Sequence, residues 1–208
     1  MGTTHDSLPE ERRLELLWQG EFGDAYLERN RAAGENRGPF WTAILEEFPV
    51  HRVLEVGCNI GANLRWIATV IPAKNVYGVD INLKALNELR HALPEVNAVW
   101  SSARELPFRD GWFGMVLTAG VLIHQPEDTL PLVMAEIFRC SGRYIFCAEY
   151  YAEQTTEVFY REQHGALFKR DYGRLYLSMF PELKLHKQSF LGRAEGWDDV
   201  TYWIFEKP

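Results

Sequence analysis

Cysteine is scarce in this chain: Cys58, Cys140 and Cys147 stand far apart, odd in number, and form no Cys-x-x-Cys. That argues against a disulfide framework and a zinc knuckle and fits a reducing, cytoplasmic setting. Basic runs never exceed a pair, and the net charge is −7. Without a basic stripe the chain has no electrostatic footprint for a nucleic-acid backbone. No apolar run approaches the roughly 20 residues that span a bilayer. The opening "MGTTHDSLPEERRLELLW" is too polar for the core of a secretory signal, and His5 stands where a myristoylation motif wants Ser or Thr. There are no repeats, no low-complexity stretch and no linker. The expected partner is a small molecule, with no metal, nucleic acid or membrane; nothing here addresses oligomeric state. What is present, 208 residues with 47% hydrophobic and 25% charged, suits one domain with a substantial core.

From Arg52 onward short apolar runs alternate with longer amphipathic ones. "RVLEVG", "NVYGVD", "NAVWS", "WFGMVLTAG" and "GRYIFCAEY" read as strands. "NLRWIATVI", "LKALNELRHAL" and "EDTLPLVMAEIFRC" read as helices between them. Such alternation predicts right-handed βαβ units and an α/β, doubly wound, mostly parallel sheet with helices on both faces. After about residue 150 the rhythm changes. A helix-like "GRLYLSMF" precedes "LKLHKQSFL" and "VTYWIFEK", two strands joined by a loop containing "GRAEG". With no crossover helix between them they should form an antiparallel hairpin at the sheet edge, giving seven strands in all.

"VLEVGCNIGANL" follows the first strand, and it is not a dinucleotide loop. The glycine spacing is Gly-x-x-x-Gly, Asn59 holds the middle, and Glu55 precedes the first glycine. A carboxylate there would repel a pyrophosphate, whereas it suits a ligand carrying an ammonium group. Gly57 lets the chain turn sharply, and Gly61 lets the helix start close by. Asp80 ends the second strand about 25 residues after Glu55, where a carboxylate can bridge a ribose diol. An acid for an amine plus an acid for a ribose describes S-adenosylmethionine (SAM).

"VLEVGCNIGANL" together with "VYGVDIN" resembles motifs I and II of the class I SAM-dependent methyltransferases, a single Rossmann-like domain, over about residues 52–150. The resemblance implies that Glu55 serves the methionine amine, that Gly57, Asn59 and Gly61 line the cofactor, and that Asp80 with Ile81 holds the ribose. It implies that Ser102, Ala103 and Arg104 meet the adenine edge and that Thr118, Ala119 and Gly120 pass the methionine. Two positions depart from the pattern: Asn59 replaces a usual third glycine, and Gly114 stands where the family often has an acid in the fourth strand. "LWQGEFGDAYLERN", "GVLIHQPED" and "AEYY…LFKRDYG" resemble more narrowly the pseudaminic acid biosynthesis-associated methylases. On this reading residues 51–208 form the methyltransferase core, and residues 1–50 form a helical segment or lid of the same domain.

Trp18, Phe22 and Tyr26 recur every four residues, which suits a packing stripe as well as a cover over the cofactor. With Arg29 they are the lid's cofactor-facing candidates. Arg29, Arg31 and Arg37 also read as a solvated face. The acceptor side is expected beyond strands four and five. His124, Glu149, Tyr150 and His164 are the candidate catalytic groups, with Asp171 a further possible base, and Tyr151, Arg161, Lys169 and Arg170 the candidate substrate contacts. The expected activity is methyl transfer from SAM to an oxygen or nitrogen of a small polar molecule. The subgroup resemblance suggests a nonulosonic acid or sugar nucleotide. The alternatives are a non-catalytic SAM-binding or methyltransferase-like module and, less favoured by the first loop, an NAD-dependent oxidoreductase.

Overall fold

The computed structural model of the protein describes residues 9–208. Three helices come first: α1 (Glu10–Gln19), α2 (Glu21–Arg29) and α3 (Gly38–Glu47). The alternating part follows as β1 (Val53–Val56), α4 (Leu64–Val70), β2 (Val76–Asp80), α5 (Leu83–Ala92), β3 (Asn97–Trp100), β4 (Phe113–Ala119), α6 (Leu130–Cys140) and β5 (Ser141–Glu149). The remainder comprises β6 (Thr156–Glu157), β7 (Phe168–Lys169), α7 (Tyr172–Met179), β8 (Lys184–Leu191) and β9 (Val200–Glu206).

Seven strands pair in the order β3-β2-β1-β4-β5-β9-β8. All pairs are parallel except those of β9, which runs antiparallel to both β5 and β8. All four residues of β1 are buried, as a strand covered on both faces requires. One apolar layer joins Trp41, Ile44, Leu64, Ile67 and Leu86 of α3, α4 and α5 to Met115, Phe146 and Ile204 of the sheet. The other joins Val133, Ile137, Tyr172 and Tyr176 of α6 and α7 to Val116, Ile145, Trp203 and Phe205. Neighbours Trp203, Ile204 and Phe205 alternate between the two layers because side chains alternate across a strand.

The expected edge hairpin is present as β8 and β9, with β8 outermost and largely exposed. Three local features are not given by the sequence patterns above. Helix α6 starts at Leu130 rather than Glu127, with Pro131 in its first turn, where a missing N–H costs nothing. The glycine-bearing stretch near residue 20 breaks only at Gly20; Gly23 continues inside α2, and a Cβ there would lie 1.9 Å from the Trp18 carbonyl oxygen of α1. Gly23 therefore serves close helix packing, not helix termination. The short antiparallel pair β6–β7 was not anticipated, since each strand is only two residues long. Helix α2 packs on α5 and α3 on α4, which brings the N-terminal helices onto the body of the domain.

Candidate functional site

A cavity of about 590 Å³ opens over the carboxyl ends of β1, β2 and β4, beside the reversal of strand order, where open α/β sheets bind ligands. Its floor is the loop after β1. Gly57 has φ 72°, and a Cβ on it would lie 2.4 Å from a Val121 methyl. The amides of Gly57 and Cys58 both donate to the Val79 carbonyl, at 2.8 and 2.9 Å, locking the turn to β2. Asn59 has φ 47°, a left-handed conformation that asparagine tolerates better than most residues. Its departure from glycine is therefore compatible with the same turn. Gly114, the other departure, lies near the start of β4, where a Cβ would come within 2.8 Å of Val50.

Two carboxylates dominate the floor. Glu55 is buried; its Oε1 accepts from Asn63 Nδ2 at 2.6 Å, and its Oε2 is buried with no hydrogen-bond partner. Burial pushes its pKa up to about 8. Asn63 Oδ1 accepts from Arg37 Nη1 at 2.8 Å and from Trp41 Nε1 at 3.2 Å. The Arg37 guanidinium lies 3.9 Å from the Trp197 ring centre and donates to the Gly196 carbonyl at 2.9 Å. Asp80 accepts the amides of Asn59 and Asn82, each at 2.8 Å; burial raises its pKa against those hydrogen bonds.

The expected cofactor contacts divide. Trp18, Tyr26, Arg29, Glu55, Gly57, Asn59, Asp80, Ile81, Ser102, Ala103, Ala119 and Gly120 line the cavity. Phe22 does not: it stands behind Trp18, edge-on to it at 5.2 Å. Gly61 turns away toward Leu89, and Thr118 is fully buried in β4. Arg37 is not part of a solvated face but a wall of the cavity; Arg31, by contrast, pairs with Glu28 and Glu88 at the surface.

On the acceptor side His124, Tyr150 and Arg161 line the cavity. His124 is buried, 4.4 Å from the Trp18 ring between centres, with Nδ1 2.6 Å from the Ala166 carbonyl oxygen. A carbonyl only accepts, so Nδ1 carries the proton; burial lowers the pKa to about 4 and leaves Nε2 an unprotonated acceptor. The Tyr150 hydroxyl donates to Asp198, a residue the sequence reading missed, and Tyr160 and Trp197 complete the wall.

Other acceptor-side candidates lie elsewhere. Glu149 is wholly buried off the cavity; its two oxygens accept the amides of Val121 and Ile123, both at 3.2 Å, so it holds the loop that carries His124. His164 projects into solvent, its side chain 84% exposed, and Tyr151 is exposed beside Trp203. Lys169 does not reach the cavity. Arg170 is buried behind the wall, donating to the Gln125 carbonyl at 3.0 Å. Asp171 caps α7 by accepting the Arg174 amide. Among the described residues no group of three or more His, Cys, Asp or Glu is placed to hold a metal ion, and no helix is long and apolar enough to cross a membrane.

Residues 53–142 match a family model described as "Methyltransferase domain". The fold superposes on a Synechocystis magnesium protoporphyrin IX methyltransferase crystallised with SAM, with TM-score 0.72 and 13% identity over 99% of this chain and all of that one. It also matches a Burkholderia thailandensis 1,6-didemethyltoxoflavin-N1-methyltransferase crystallised with S-adenosylhomocysteine, with TM-score 0.73 and 15% identity over 97% of this chain and 91% of that one. Residues 53–142 are thus similar to a methyltransferase domain, and the fold is the one these crystallised methyltransferases share. Among curated sequences, a Mycolicibacterium smegmatis fatty-acid O-methyltransferase is 29% identical over 50% of this chain and 39% of its own length. A Mycobacterium ulcerans phthiotriol/phenolphthiotriol dimycocerosates methyltransferase is 33% identical over 36% of this chain and 29% of its own. The chain thus spans well under half the length of the curated relatives it matches.

The Synechocystis neighbour binds SAM, and the floor of the cavity in this chain has groups that fit such a ligand. The unpartnered Glu55 Oε2 is an acceptor for an ammonium group, and the Asp80 oxygens, bonded to two amides, keep lone pairs for hydroxyls. Replacing Asp80 with alanine should weaken SAM binding by about 1.5–3 kcal/mol in calorimetric titration, the loss of charge-assisted bonds to a diol. Unchanged affinity in a folded variant would reject the ribose assignment. Glu55 adds a proton linkage. With its pKa near 8 in the free protein it is largely protonated at pH 7, and the ammonium needs the ionised form. Affinity should rise with pH to a maximum at about 8, as Glu55 ionises, and fall above it as the ligand's own ammonium, of ordinary pKa about 8, loses its proton. At pH 7 the binding heat should change with the buffer's ionisation enthalpy, reporting a released proton.

Proposed function

We propose that the protein transfers a methyl group from SAM to an oxygen or nitrogen of a small polar molecule. The observation carrying this is the unpaired buried carboxylate oxygen of Glu55 in one cavity with Asp80, on the floor of a class I domain. Bound SAM supplies the electrophilic methyl group. The chain must hold the acceptor atom in line behind it and, for a hydroxyl, take up a proton. His124 is the cavity group placed for that step: the Ala166 contact orients the ring and leaves the Nε2 lone pair free. With its pKa held at about 4 by burial it is a weak base, which takes the proton only as the attacking oxygen gains positive charge. Tyr26, Tyr150 and Tyr160 supply walls and hydroxyls for orientation, and Asp198 a further acceptor.

The narrower substrate reading, a nonulosonic acid or sugar nucleotide, keeps some support. Arg29 and Arg161 both line the cavity and enter no salt bridge among the described residues. They are suited to a carboxylate or phosphate. Residues 18–30 act in this reading as a lid over the bound cofactor, since Trp18, Gly23, Tyr26 and Arg29 all border the cavity.

Titration with SAM and with NAD tests the cofactor: the proposed enzyme binds SAM and not NAD, and binding of neither would leave only a non-catalytic module. Transfer of the labelled methyl group then separates the enzyme from a module that merely binds SAM. Hydrogen exchange should show residues 18–30 protected by SAM, as expected of a gating element. Equal exchange in both states would reduce their aromatics to packing. With the acceptor found by incubating labelled SAM with sugars, sugar nucleotides, amino acids and amines, His124→Gln should lose about 10²-fold or more in turnover while keeping SAM affinity. Normal turnover would remove His124 from the chemistry.

A further inference from the structure

The sheet order fixes how a nucleoside lies in this cavity. Glu55 ends β1 and Asp80 ends β2, so the line from methionine to ribose runs outward across the sheet. The base must therefore fall beyond β2, over the end of β3, where Ser101, Ser102, Ala103 and Arg104 line the cavity. The side chains of that loop supply two hydroxyls and a guanidinium. None is an anionic acceptor, whereas the 6-amino group of adenine is a donor.

An anionic acceptor is present, but it comes from α1. Glu15 lines the same end of the cavity, with its side chain only 16% exposed. Its Oε1 accepts from Ser102 Oγ at 2.6 Å and from Arg104 Nε and Nη2 at 3.1 and 2.7 Å. Its Oε2 has only Arg12 Nη1, at a weak 3.5 Å. Burial acts to raise its pKa, but the bonds from Ser102 and Arg104 outweigh this and hold the carboxyl below its ordinary value. A carboxylate offers about four lone-pair sites, so Oε2 keeps room for an additional donor. The other cavity-lining carboxylates are placed elsewhere: Glu55 at the methionine, Asp80 at the ribose and Asp198 against Tyr150.

Resting on the SAM reading above, we propose that Glu15 reads the cofactor's base, its carboxylate accepting a hydrogen bond from the adenine 6-amino group. A helix outside the matched domain then sets nucleobase specificity and feels whether the cofactor is bound. A base with oxygen at position 6 would point lone pairs at the carboxylate and be rejected, the repulsive half of specificity.

The test compares S-adenosylhomocysteine with S-inosylhomocysteine, which differ at that position, by calorimetric titration of the wild type, Glu15→Gln and Glu15→Ala. Thermal melts confirm that each variant is folded. The wild type should prefer the adenine compound by tenfold or more. Glu15→Gln, whose amide can donate to an oxygen, should narrow or reverse that ratio, and Glu15→Ala should narrow it. A role confined to tying α1 to Ser102 and Arg104 would lower both affinities equally, and an unchanged ratio in a folded variant overturns the proposal. A wild-type ratio near one overturns it without any variant. A wild type that binds neither compound overturns the SAM reading itself, an outcome distinct from the other two.

Discussion

A buried carboxylate with one oxygen unpaired is costly, and the architecture around the first loop is organised about that cost. Burying a charged group without a partner is so unfavourable that the group neutralises instead, which is why Glu55 holds its proton to about pH 8. Asn63 satisfies one oxygen, and its own carbonyl oxygen is held by Arg37 and Trp41. Arg37 in turn stacks on Trp197 and binds the Gly196 carbonyl. One short chain of contacts thus joins the tip of β1, the start of α4, the segment before α3 and the loop before β9. The unpaired oxygen is left facing a cavity that a cationic amine would complete. A fully satisfied network would be more comfortable for the empty fold and useless to the ligand.

A second buried carboxylate shows the opposite solution. Glu149 has both oxygens on backbone amides of the loop after β4 and no opening to the cavity. Burial still raises its pKa, to about 7, but its task is mechanical. It fixes Val121, whose side chain limits the space above Gly57, and it fixes the turn that presents His124. The two acids are 94 residues apart in sequence and sit on strands flanking β4. One is left unpaired for a ligand, and the other is paired to shape the loop between them.

The central sheet was legible because its signals are local. β1, β2, β4 and β5 are apolar runs bounded by turn residues, and Glu55, Gly57 and Asp80 are read from their place at the strand ends. What was misread depends on where long side chains go after the fold closes. Arg37, Glu15 and Asp198 have ordinary surface-like sequence surroundings, and their roles come from partners such as Gly196, Ser102 and Tyr150, which are 159, 87 and 48 residues away. His164 and Arg170 were read as pocket residues because the chain between β5 and α7 crosses the open end of the sheet. The short β6–β7 pair turns them, one into solvent and one behind the wall. No periodicity announces strands of two residues, so no sequence pattern assigned those directions.

The same distribution separates cofactor from acceptor. Most of the cavity floor comes from residues 53–142, the matched domain. The walls come largely from outside it: Trp18 and Tyr26 from α1 and α2, Tyr150, Tyr160 and Arg161 from the segment after β5, and Trp197 and Asp198 from the loop before β9. His124 is the exception, placed by the domain's own turn but oriented by Ala166 from outside. Replacing the outer segments would change which acceptor fits without disturbing the strands that hold the floor, since those strands are anchored to one another by ladder bonds and by both apolar layers. In the proposed activity the choice of acceptor would therefore rest on segments whose sequences are least constrained by the sheet. The proposed contact from Glu15 adds one qualification: α1 borders the acceptor space through Trp18, and one turn earlier it touches the loop at the base. On that proposal, changes to α1 that suit a new acceptor would have to preserve a carboxylate at Glu15, or accept a weaker hold on the cofactor.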